Sequence, residues 1–229
     1  MAGIVIRSAS QNLKSNSSSS SFLTILKNGT TTRSYASNVI TKSPFDSNIL
    51  RILRNEIDYY SEYLPPPQPI KFKSFRVEER PSEQVITIRG KFGEKEDIKI
   101  QATMYDGYQH VPVLEDDSSK LSLRLHVSLL VDISKGERGN DLQFVCSAWP
   151  DSLDVEKVYI LRRPRMPPTP YLGPNFRNLN AKIQEKFREY LDARGVNNEL
   201  SAFLHEYMMN KDRIELLRWM DGLKYFMEK

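Results

Sequence analysis

A chain of 229 residues with 39% hydrophobic and 27% charged side chains can bury one core of ordinary size, which excludes a large multidomain machine. Mean hydropathy is −0.51 and no apolar run nears the length of about 18 residues that a spanning helix needs. The single cysteine, Cys146, excludes an internal disulfide and a cysteine-based zinc site, and the net charge of +4 invites a nucleic-acid reading until the charges are placed along the chain.

Before Asp46 there is no acidic residue, while Arg7, Lys14, Lys27, Arg33 and Lys42 are basic and Ser17 through Ser21 form a serine run. An acid-poor, Ser-rich leader with scattered apolar residues has the composition of a mitochondrial transit peptide rather than of a secretory signal, which needs a continuous apolar centre. Arg33-Ser34-Tyr35-Ala36-Ser37 follows the plant processing pattern, so cleavage between Tyr35 and Ala36 is expected and residues 1–35 form the leader. Its removal leaves 29 basic residues against 29 acidic ones. The basicity therefore belongs to the leader.

From Ser47 to Leu64, Ile49, Ile52, Leu53, Ile57, Tyr60 and Leu64 recur at spacings of three and four, which predicts an amphipathic helix capped by Asp46 or Ser47. Pro65, Pro66, Pro67 and Pro69 stop it and form a stiff connector. Over 72–162 the period changes to two. Leu121, Leu123, Leu125, Val127, Leu129, Val131 and Ile133 alternate with mostly polar residues, and strands are expected at 72–79, 84–92, 96–104, 121–133, 142–148 and 154–162. Short loops at Gly93 and Gly136 to Asn140 favour sequential antiparallel pairing.

Pro164, Pro167, Pro168, Pro170 and Pro174 end the strand region, and the helical period returns from Phe176 to Leu191. Arg194-Gly195 closes that helix. Asn197 or Asn198 caps the next, which carries Leu200, Leu204, Met208, Leu217, Met220 and Leu223, with a break near Asn210. Helix, strands, then helices define an α+β class with helices on one face of an antiparallel sheet.

Tyr171-Leu172-Gly173-Pro174, Phe187-Arg188-Glu189-Tyr190-Leu191, Arg194-Gly195-Val196, Leu217-Arg218-Trp219 and the 85–106 stretch resemble, in order, the mitochondrial glycoprotein family, the matrix proteins related to the complement component 1 Q subcomponent-binding protein. The resemblance spans most of 46–229. It implies a seven-stranded twisted antiparallel sheet flanked by one N-terminal and two C-terminal helices, a ring-shaped homotrimer, a short seventh strand at 169–172 and localisation in the mitochondrial matrix. Helix packing or trimer contacts would come from Ile49, Ile52, Leu53, Ile57, Leu217, Met220 and Leu223. Acidic relatives carry a long acidic insertion where this chain has only Glu115-Asp116-Asp117.

No phosphate loop, nucleophile elbow, metal-spaced histidine pair or redox cysteine pair occurs, so no enzyme, cofactor, metal site or small-molecule substrate is expected. His110, His126 and His205 are too scattered for a ligand set, and Cys146 sits at an inward strand position. The expected function is multivalent, chaperone-like binding of matrix proteins that supports mitochondrial translation and oxidative phosphorylation biogenesis. The alternative is an RNA-associated factor on transcripts or the mitoribosome, using polar-face Arg89, Lys99 and Arg124 with Arg162, Arg163 and Arg165.

Overall fold

A computed structural model describes residues 43–112, 121–136, 139–161, 168–169 and 171–229, all within one compact unit that runs from Lys42 to Lys229. Helix α1 spans Pro44–Ser61. Its cap is Ser43, whose hydroxyl accepts from Phe45 N at 3.1 Å, not the expected Asp46 or Ser47. Pro44 explains the earlier start: proline suits the first helical position, where its missing N–H costs nothing.

Seven strands follow: β1 (Lys71–Phe72), β2 (Phe75–Glu78), β3 (Ile86–Phe92), β4 (Glu96–Pro112), β5 (Leu121–Ser134), β6 (Asp141–Ala148) and β7 (Leu153–Leu161). They pair in sequence order, each antiparallel to the next, as one meander. The expected strand at 72–79 is instead the β1–β2 hairpin, because Lys73 takes a left-handed conformation (φ 51) and folds the chain back. The seventh strand is β7, so the one expected at 169–172 does not form. Residues 171 and 172 lie outside any strand, since Gly173 turns left-handed (φ 74) and Pro174 offers no amide to a ladder.

A 3-10 turn at Phe176–Asn178 precedes α2 (Ala181–Asp192), capped by Asn180, so the helical period that begins at Phe176 belongs to two elements. Helix α3 runs unbroken over Asn198–Glu228 with Asn197 as its cap, and no break occurs at Asn210. The inward strand residues, among them Ile86, Ile88, Ile100, Leu129, Val131 and Phe144, form one core with Leu191, Leu200, Leu204 and Met208 of α2 and α3. Phe75 is wedged into this core between two glycines. A Cβ on Gly90 would lie 2.5 Å from its ring, and one on left-handed Gly195 (φ 75) would lie 3.1 Å away.

In β4, two register shifts against β5 separate Ala102 from Tyr105 and Tyr105 from Gly107. Each places one extra residue in β4, which locally redirects side chains. The Tyr105 hydroxyl thereby reaches His205 O of α3 at 2.7 Å, while Asp106 meets His126 across the ladder at 2.7 Å.

Candidate binding surfaces

Helices cover one face of the sheet, and the other face carries cross-strand rows fixed by register. The longest row reads Lys71, Arg76, Arg89, Lys99, Asp132, Gln143 and Tyr159, one residue from each of β1 to β7. Its two ends differ. Tyr159 donates to Gln143, which donates to Asp132, and burial with the Asp132 charge raises the Tyr159 pKa above the ordinary phenol value. At the other end stand four cations, of which Arg89 binds Glu78 at 3.1 Å. Around Arg89 and Lys99 lies a hollow of about 390 Å³, also lined by Asp97, Asp132 and Ser134.

Arg124 lies elsewhere on this face. It pairs with Asp151, donates to Ser152 Oγ at 2.9 Å and stacks 5.3 Å from the Trp149 ring. Beside it, Asp106 accepts from Thr103 Oγ1 at 3.1 Å and from Ser128 N at 3.2 Å, and it also meets His126. The structure thus joins Arg89 and Lys99 in one row, and it commits Arg124 to an internal ion pair. Arg162, Arg163, Arg165, Glu115, Asp116, Asp117, Tyr35 and Ala36 lie outside the described residues.

The second surface is helical. Helix α1 packs antiparallel on the outer half of α3: Arg54 reaches Glu228 at 2.9 Å, while Tyr60 and Leu64 approach Arg213 and Leu217. Leu53, Leu217 and Met220 are buried together, with Ile57 and Leu223 packed around them. Ile49 and Ile52 do not join this seam and remain 42% and 46% exposed. With Phe45, Tyr59 and Tyr63, also exposed, they form a second stripe at spacings of four, three, seven and four residues. Trp219 and Phe226, seven residues apart on α3, are exposed too.

Two buried ion networks hold these surfaces, and neither has a distinctive local sequence signal. Arg194 binds Glu96 at 2.7 Å with side chains only 8% and 11% exposed, and it stacks on Tyr190 and Phe92. That hydrogen bond, with help from Lys135, holds the Glu96 carboxyl below its usual pKa. Lys211, 2% exposed, binds Glu215 at 2.9 Å and lies 3.7 Å from Glu79. Burial pushes Glu215 up, but Lys211, the Ser82 amide and Arg218 outweigh it and the net pKa is lowered. A spacing of four between Lys211 and Glu215 is the only trace in the sequence, and it reads equally as a surface pair.

Burial lifts the Cys146 thiol to about 12, so it stays protonated at neutral pH. No group of three or more His, Cys, Asp or Glu side chains among the described residues is arranged to hold a metal ion. No helix among them is long and apolar enough to cross a membrane.

The molecule is thus an antiparallel seven-stranded meander with helices on one face and polar cross-strand rows on the other. The chain belongs to the mitochondrial glycoprotein family, whose model matches residues 53–227, and its members are non-catalytic binding proteins of the mitochondrial matrix. It is 29% identical over 196 residues to an uncharacterized mitochondrial protein of Arabidopsis thaliana, covering 80% of this chain and 72% of that one. It is 23% identical over 213 residues to the mitochondrial acidic protein mam33 of Schizosaccharomyces pombe, covering 80% and 78%. The fold matches the crystal structure of the Trypanosoma brucei p22 protein with a TM-score of 0.65 at 19% identity, over 81% of this chain and 100% of that one. It also matches a Leishmania major protein described as a homologue of human p32, with a TM-score of 0.63 at 17% identity, over 80% and 99%.

Proposed function

We propose that residues 1–35 are a transit peptide removed between Tyr35 and Ala36, and that the domain over 46–229 assembles as a ring-shaped homotrimer. The ring displays three copies of the polar sheet face to matrix proteins and supports mitochondrial translation and oxidative phosphorylation biogenesis in a chaperone-like way. One observation carries this reading: the second apolar stripe of α1 lies outside the α1–α3 seam with Ile49 and Ile52 still 42% and 46% exposed, which suits a contact between copies. Three weak sites on one ring raise the effective concentration of each without any bond being made or broken. Affinity capture from mitochondria tests it. Respiratory assembly intermediates or ribosomal components should be recovered, and their absence would overturn the reading.

A second reading, direct RNA binding, is favoured by the register that aligns Arg76, Arg89 and Lys99. Three phosphate contacts to single-stranded RNA predict a log–log salt slope of about −2. A flat slope, or equal binding by an Arg89→Glu/Lys99→Glu variant, removes it.

A further inference from the structure

In the connector between α1 and β1 the two half-buried residues stand three positions apart. Pro65 and Gln68 are half-buried, while Pro66, Pro67, Pro69 and Ile70 are exposed. Three residues per turn is the period of a polyproline II helix, the conformation such a proline run prefers. The covered ridge is pinned, since Gln68 Nε2 donates to Tyr207 O of α3 at 3.0 Å and Pro65 lies with Tyr60 and Leu217 beside the α1–α3 seam. At the far end Ile70 O accepts from Val77 N at 2.9 Å. The strap is therefore ordered before any partner arrives, which removes much of the entropy cost of docking a proline-rich segment.

Its chemistry narrows the partner. Pro66, Pro67 and Pro69 have no N–H, so the strap cannot be extended as a β ladder, and it presents ring faces and carbonyl oxygens instead. Such surfaces are read by grooves lined with aromatic side chains. Lys71, just beyond the strap, is exposed and forms no ion pair with any described residue, so it is free to meet a carboxylate on the rim of such a groove. Lys73, two residues later, is already engaged by Glu199.

We infer that this strap is a recognition element whose two free ridges, Pro66 with Pro69 and Pro67 with Ile70, dock the aromatic groove of a proline-reading protein bearing a carboxylate opposite Lys71. The test adds the purified full chain to an isotope-labelled SH3 domain, whose aromatic groove is bordered by acidic residues, and follows its amide shifts. Shifts confined to the groove should saturate with a Kd on the order of 100 µM. Pro66→Ala/Pro69→Ala should weaken binding roughly tenfold or more, and Lys71→Glu several-fold, with the thermal unfolding midpoint of each variant unchanged. A free proline-rich peptide should displace the chain, which checks the site without any substitution. Absence of shifts at about 1 mM, shifts outside the groove, or equal binding by the double variant would overturn the inference.

Discussion

Arg194 and Lys211 are cations that the fold encloses, and each is held by a carboxylate. Removing one partner of a buried pair strands the other charge and costs about 3–5 kcal/mol, and the loss is smaller where the remaining charge keeps another partner. Glu96→Ala should therefore lower stability by about 3–5 kcal/mol, read from denaturant unfolding, because it leaves the enclosed Arg194 without its carboxylate. Glu215→Ala should cost less than that, because Lys211 keeps Glu79 at 3.7 Å, and Lys211→Met should be milder still, since Glu215 keeps the Ser82 amide at 2.9 Å and Arg218 at 2.7 Å. A second expectation concerns pH. Burial, opposed by the bond to Ala148 O and reinforced by His126 and Arg124, depresses the His205 pKa below 6.5. The unfolded chain then binds this proton more readily, so stability is full above about pH 6.5 and is lost as pH falls through the folded value. Glu96 and Glu215, also depressed, add a further loss below about pH 4.5. Unfolding midpoints across pH should show two acid steps, with the upper one absent in His205→Gln.

Among the elements, β3 depends on a residue with no side chain. Gly90 does not require positive φ, so its need is steric: Gly90→Ala would push a methyl into the Phe75 ring, and overpacking of this kind costs about 1–3 kcal/mol. Thermal unfolding measures this, and Gly90→Ala combined with Phe75→Leu should recover part of the loss. The two-residue period over 121–133 was legible in the sequence because inward residues alternate with outward ones, although only Val127, Leu129, Val131 and Ile133 are fully buried and Leu123 is exposed. Leu53, Ile57, Leu217, Met220 and Leu223 were legible for the same reason at helical spacing. Lys73 was not, since a lysine at positive φ has no compositional signal and the hairpin it makes reads as one strand. Nor was the pairing of Arg194 with Glu96, 98 positions apart, because only the finished fold brings them within reach. The row through Arg76, Arg89 and Lys99 was half legible: alternation assigns the face, but register assigns the neighbours.

For the whole molecule, the exposed stripe of α1 separates assembly from folding. Ile49 and Ile52 lie outside the Leu53–Leu217–Met220 seam, so Ile49→Asp/Ile52→Asp should leave the unfolding transition of the single chain nearly unchanged. The same variant should shift the mass measured by light scattering from three copies toward one. Leu53→Ala probes the other side. It opens the seam inside the chain and should cost about 2–4 kcal/mol of stability before any effect on assembly.

The paired register shifts in β4 set an arithmetic of parity for the whole sheet. The first offset exchanges wet and dry sides, and the second exchanges them back, so Tyr108 and His110 keep the assignment that a plain ladder would have given them. Losing one residue from this stretch would turn the far end of the strand inside out, whereas losing two would merely straighten it. Length changes tolerated here should therefore come in even numbers.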